Sequence, residues 1–337
     1  MRMLISALLL MTGVAVAQDQ PEAEPTVAET AQEEATPASA PETPEAEAEA
    51  EAEADTEAEP PEDKTYPIRF EGQVTPDTPH FDLEVLYHEG RVKEGLELAE
   101  KRMADNPEDA TVYRHVARFM YELGEQFERT DTSIDKVAWY ERMWTVADAG
   151  LELTPDDPHL KFARGVAIGR YGTTRGVLAS LFLAKRVEQD WTEATDSGYT
   201  YASIGGGEQL PCDVHHGLGI YYRLVPDWWI VQVLAGTRGD LDKSLERMQL
   251  AHECGGDKIR HLKELGVTKM CIGQKRNDHA LLAEGKAHIS KYLTLEPKSR
   301  TERIDIRHGE MLLDDPSMAC EYSRDGQQDL DREKLER

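Results

Sequence analysis

Residues 92–106 read VKEGLELAEKRMADN, set between Gly90 and Pro107. Val92, Gly95, Leu96, Ala99 and Met103 recur at intervals of three and four, the spacing of one helix face. Gly90 has a counterpart at Gly124, 34 residues on. Around Gly124 the stripe repeats as Tyr113, Val116, Ala117 and Met120 before it, and as Val137, Tyr140, Met143, Trp144 and Ala147 after an added segment. A single helix pair of this kind cannot cover its own apolar side, so each pair requires a neighbour. The expected fold is therefore all-α, an irregular solenoid of antiparallel helix pairs with insertions.

Outward from this stretch the script returns with interruptions. Leu151–Pro155 (LELTP) is echoed by Leu293–Pro297 (LTLEP), each expected at the end of a helix. Thr132 or Ser133 is the expected cap of the helix carrying Val137, and Asp213 of the helix VHHGLGIYYRLV. Residues 162–170 form a further stripe in which Gly165 and Gly169 allow close helix approach, ending at Tyr171-Gly172. The run from Arg175 to Trp191 is expected as a core helix. Pro226 opens another helix, with Trp228 filling a pair crossing and Gly239 in the turn before Leu241, Leu245 and Met248. A last helix is expected over 299–313. Residues 192–211 break the pattern. Gly205, Gly206 and Gly207 lack the preceding strand and following Lys-Ser/Thr of a phosphate loop, so they read as a connection.

Before the helices stand two segments of different composition. Residues 1–17 combine Arg2, an apolar core from Leu4 to Val16 and a small-x-small site at Ala15-Val16-Ala17, which reads as a secretory signal peptide. Residues 18–63 are Ala-, Glu- and Pro-rich, with 17 acids and no base between Asp19 and Asp63. Like charges repel and there is no apolar stripe to dock, so this is expected as a disordered acidic linker. The domain plan is then a helical domain over 64–313 and a polar tail over 314–337. The expected address is periplasmic or secreted.

The formal net charge of −27 argues against general nucleic-acid binding, which draws its affinity from a basic face. Cys212, Cys254, Cys271 and Cys320 allow three complete disulfide pairings in an exported chain, or free buried thiols. Cys212, Asp213, His215 and His216, with Cys254, His252 or His261, have metal-ligating chemistry, yet adjacent histidines on a helix diverge and no metal is expected. His252-Glu253 and His308-x-Glu310 lack metalloprotease spacing, and there is no nucleophile elbow. The chain is expected to be no enzyme and to need no cofactor.

Tyr113, Ala117 and Gly124, then Trp228, Gly239 and Ala251, with Gly90, Ala99, Pro107 and Leu151, Leu153, Pro155 in second halves, resemble the tetratricopeptide-repeat superfamily over roughly 80–155 and 225–297. The layout also resembles exported bacterial helical-repeat proteins, including the T component of some substrate-binding transporters. The resemblance implies protein or peptide partners, scaffolding, or a ligand channel. The candidate partner anchors are Trp229, Tyr221, Tyr222 and Trp144, because large aromatics often anchor interfaces. The leading expectation is an envelope adaptor, with peripheral membrane or cell-envelope association and an undetermined oligomeric state. The alternatives are a ligand-handling accessory subunit, marked by an apolar cavity along the helices of 162–187 and 214–235, or a structural envelope component.

Overall fold

The computed structural model describes residues 74–127 and 133–324, apart from the side chains of 177–179. The expected signal peptide, the acidic linker, residues 64–73, Thr132 and residues 325–337 lie outside the described residues. Within them the chain is all-α, as the stripes require, with one two-stranded hairpin.

Three helix pairs come first. They are α1 (Phe81–His88) with α2 (Val92–Asp105), α3 (Ala110–Gln126) with α4 (Lys136–Leu153), and α5 (Pro158–Arg175) with α6 (Val177–Asp196). Each packs on the next, and Leu83, Leu96, Ala99, Val116, Phe119, Met120, Met143 and Ala147 share one core. Asp109, Asp135 and Asp157 cap α3, α4 and α5, each side chain accepting backbone N–H groups that the first turn leaves unpaired. Asp135 thus takes the capping place expected of Thr132 or Ser133.

Gly90 and Gly124 occupy different surroundings. Gly90 stands at φ +70° with nothing near its absent side chain, so the turn needs its backbone conformation and not close packing. Gly124 lies inside the last turn of α3, where a Cβ would meet Trp139 Nε1 and Tyr140 Oη at 2.9 Å. The close approach between α2 and α3 is made instead at Gly95, 2.3 Å from Phe119 in the same sense. α5 also runs past Tyr171-Gly172 to Arg175 and breaks at Gly176, φ +108°.

After α6 comes the hairpin of β1 (Tyr201–Ala202) and β2 (Gln209–Leu210), paired antiparallel, Tyr201 to Leu210 and Ala202 to Gln209. Gly205 and Gly206, both near φ +70°, make its bend. This is the irregular connection of 192–211. It inserts Tyr201 and Leu210 into the interior instead of running over the surface.

The second half departs from the expected pairing. α7 (Cys212–Leu224) packs on α9 (Leu241–Gly255), and the short α8 (Trp229–Ala235) lies on α6. Residues 225–240 are therefore an excursion within a pair. The chain leaves at Val225 and returns where Asp240 N donates to Tyr222 O at 2.9 Å. A Cβ at Gly239 would lie 1.9 Å from the Val225 carbonyl oxygen, so only glycine allows this closure. Trp228 fills no crossing; it is exposed at the start of α8. α10 (Ile259–Arg276) then pairs with α11 (His279–Tyr292), and α12 (Arg300–Asp314) follows. The LTLEP segment lies after α11 and not within it.

Of the polar segment from residue 314 on, expected to cap the helices or fray, residues 315–324 pack against them. Pro316–Cys320 form a 3-10 turn on α10, Tyr322 is fully buried, and Cys320 is bonded to Cys271. The other disulfide joins Cys212 to Cys254, the start of α7 to the end of α9. Arg324 then reaches α3, so the C-terminal segment closes on the first half of the chain.

Candidate functional site

Two features stand out as places where this fold could meet another molecule. The first is α8. Its run Trp228-Trp229-Ile230-Val231-Gln232-Val233-Leu234-Ala235 has one polar residue, too few to give a seven-residue helix a water-facing side. Only Val231 is buried, within the α6–α7 core. Trp229 is 72% exposed, Val233 69% and Leu234 79%, with Trp228 and Ile230 also exposed. Phe182, on the helix that carries α8, adds another exposed ring at 69%. Scattered exposed apolar residues need no explanation, but a contiguous ridge of this kind marks an interaction surface.

The ridge is held from beneath. Tyr221 Oη donates to Thr237 Oγ1 at 2.9 Å on the returning strand of the excursion. Tyr222 Oη donates to Glu188 on α6 at 2.8 Å. Both phenols are held above their ordinary pKa, Tyr221 first by burial and Tyr222 first by burial and then by the Glu188 bond. Arg238 pairs with Asp227 at 3.0 Å across the base of the excursion.

The second feature is internal. A cavity of about 240 Å³ lies among α3, α5, α6, α7 and α10. The walls from α5, α6 and α7 are mainly apolar, with Phe162, Val166, Leu183, Val187, Ile220 and Leu224. Charge comes from α3, α10, the hairpin and the C-terminal segment, and from Arg170 on α5 and Asp213 and Arg223 on α7. Arg118 donates to Tyr201 Oη at 2.7 Å and pairs with Glu84 at 3.0 Å and Glu208 at 3.3 Å. Tyr201 Oη in turn donates to Glu84 at 2.7 Å. His159 lies 3.2 Å from Glu208. Burial would raise the Glu208 carboxyl, but His159 and Arg118 bring it down to about 2. Arg260 meets Asp213 at 2.7 Å, and Arg223 meets Glu264 at 2.6 Å. Glu122 has only the Tyr87 hydroxyl, 3.2 Å away, as a hydrogen-bond partner among the described residues, and burial pushes its carboxyl up.

Of the four anchors expected from sequence, only Trp229 is displayed. Tyr221 and Tyr222 are 8% and 6% exposed and support the ridge instead of forming it. They sit on α7, whose apolar face is already spent on α6 and α9. Trp144 is half-buried between two cores, edge-on to Tyr171 at 6.3 Å between ring centres. Sequence reasoning missed Val233, Leu234 and Phe182; the signal for the first two was an apolar run too short to be a core helix and lacking a polar face. It also missed the ionic wall of the cavity, whose members are spread from Arg114 to Arg324 and share no local motif. Asp213 does not cap α7. It accepts from Gln209 N at 2.7 Å and meets Arg260 and His261. The two thiols considered for a metal, Cys212 and Cys254, are bonded to each other, which removes the thiolates from that set.

No family model matches this chain, and no curated protein does. Among solved structures, a similar chain is one described as MamA RS-1 ArsTM double mutant. It has 16% sequence identity and a TM-score of 0.37, with 63% of this chain and 90% of that chain covered. Likeness at that level carries no functional reading, so function must be argued from the ridge and the cavity.

Proposed function

We propose that this protein is a helical-repeat adaptor of the bacterial envelope that holds a protein or peptide partner on the α8 ridge, with a binding role and no catalytic step. The carrying observation is the display of Trp229, Val233 and Leu234 on an excursion that leaves the α7–α9 pair intact. Burying such side chains against a partner contributes about 1.5–3 kcal/mol each. The excursion costs the core little, since only Val231 plugs into it. Export is supported by the leader-like composition of residues 1–17 and by the two disulfides, which persist in oxidising compartments.

Affinity capture with the full chain tests this reading. A partner recovered in stoichiometric amount with the natural protein and lost with Trp229→Ala, at unchanged helicity, supports it. Recovery of the same partner by both proteins removes the ridge from the account.

A second reading, a ligand-handling accessory subunit, has its own observation. The cavity lies along α5, α6 and α7, the stretch where sequence reasoning placed the mark of that role.

A further inference from the structure

The cavity carries chemical information about what could fill it. Its apolar lining comes from α5, α6 and α7, and its charge from α3, α10, the hairpin and the C-terminal segment, together with Arg170 on α5 and Asp213 and Arg223 on α7. Seven Arg and Lys side chains line it against four Asp and Glu, in a chain whose overall charge is strongly negative. Much of that charge is paired, partly with carboxylates set behind the wall at Glu84, Glu125 and Asp305. Arg114 is different. It lines the cavity, shares a hydrogen bond with the Tyr199 hydroxyl, and makes no ion pair with a carboxylate among the described residues.

The hydrogen-bond inventory points the same way. The Nε atoms of Arg114, Arg118, Arg223 and Arg260 are buried without an acceptor, and all four residues line the cavity. A buried donor left without a partner is costly, so one region with four of them is short of acceptor oxygens. Guanidinium groups suit carboxylate and phosphate oxygens in particular. The apolar half would not be filled by a bare anion.

We infer that the cavity binds a small anionic amphiphile, with a carboxylate or phosphate head at the arginine wall and a short apolar chain between α5, α6 and α7. This deepens the ligand-handling reading and rests on it. A 150 Å³ apolar cavity takes a benzene ring, so this one has room for about ten non-hydrogen atoms by proportion. An eight-carbon carboxylate is of that size.

Gly169 gives a clean way to close the cavity. It lines the cavity from α5, and the nearest atom to an added Cβ is Trp191 Cη2 at 3.9 Å. The first carbon of a leucine there makes only ordinary contact, and leucine improves helix propensity over glycine.

Calorimetric titration of the full chain with octanoate, pentyl phosphate, octylammonium, 1-octanol and inorganic phosphate tests the inference. Octanoate or pentyl phosphate, each of ten non-hydrogen atoms, should bind at least about tenfold more tightly than octylammonium or 1-octanol, and the preference between the two distinguishes a carboxylate from a phosphate ester head. Gly169→Leu should abolish that binding without lowering Tm. Arg114→Gln should remove the preference for the anions over 1-octanol. Equal binding of 1-octanol or octylammonium and octanoate would overturn the anionic head while leaving ligand handling in place. Inorganic phosphate binding as tightly as pentyl phosphate would overturn the amphiphile. No binding of any probe at millimolar concentration, or binding unaffected by Gly169→Leu, would overturn both the inference and the ligand-handling reading.

Discussion

Arg324 Nη1 lies 2.6 Å from Glu125 Oε2 across 199 residues of chain, and Arg324 Nη2 lies 2.9 Å from Asp305 Oδ2. Glu125 is fully buried at the end of α3, where it also accepts from Tyr140 Oη at 2.8 Å and Arg170 Nε at 2.7 Å. One carboxylate therefore ties α3, α4, α5 and the C-terminal segment together. Burial would raise its pKa, but Arg170 and Arg324 bring it down to about 2.

Breaking a buried ion pair from one side leaves the other charge uncompensated and costs about 3–5 kcal/mol. Arg324→Ala should lower the unfolding free energy, read from a urea titration, by an amount in that range. Truncation after Asp314 should be worse still, since it also removes Tyr322 and the Cys271–Cys320 bond. A truncated chain as stable as the full one would show that residues 315–324 are a tail after all.

The disulfides close segments with separations of 42 and 49 residues. By the chain-entropy relation each is worth about 4 kcal/mol at that length. Cys271→Ser and Cys212→Ser should each reduce stability by up to that amount, and peptide mapping without reductant should recover only the pairs 212–254 and 271–320.

Glycine positions separate close packing from empty space. A Cβ at Gly165 would lie 2.1 Å from Trp191 Nε1, so Gly165→Ala forces α5 and α6 apart and should cost about 1–3 kcal/mol. Gly169→Ala, one turn later, meets nothing closer than 3.9 Å and should stabilise by about 0.5–1 kcal/mol. Thermal unfolding of the two variants should move Tm in opposite directions.

Acid should weaken the fold in two stages. Burial holds the imidazole of His261 down to about 4, partly offset by its bond to Asp213, and that of His308 down to about 3, with Lys263 adding to the effect. Between these values and 6.5 the unfolded chain takes up protons that the native chain refuses. Their contribution is thus fully present above pH 6.5 and is lost as pH falls toward 4, on the order of a few kcal/mol by pH 5. Glu125 and Glu208, each lowered from 4.5 to about 2, add a second loss between those two values. Urea midpoints at pH 7.5, 6, 5 and 4 should fall at each step; a flat profile from 7.5 to 5 would contradict the burial of these histidines.

Much of the fold was legible because helix pairs advertise themselves through stripes. Val92, Leu96 and Ala99, or Val116 and Met120, are buried where period 3.6 puts them. Pairing in the second half was not legible. Trp228 and Gly239 match the local script of a repeat, yet the partner of α9 is α7, a choice made by tertiary packing across the excursion. Tyr221, Tyr222 and Trp229 are all large aromatics, and nothing local says which are spent inside. The charged wall was invisible for the opposite reason, because Arg118 meets Glu208, and Arg324 meets Glu125, only after the chain has turned back on itself.

The ridge is the claim on which the functional reading depends, and site-specific photocrosslinking tests it most directly. A photoreactive amino acid placed at Trp229 in cells should trap one defined protein partner, while the same group at exposed Glu97 on α2 should not. Absence of any adduct at 229, or the same adduct from both positions, would contradict a docking role for α8.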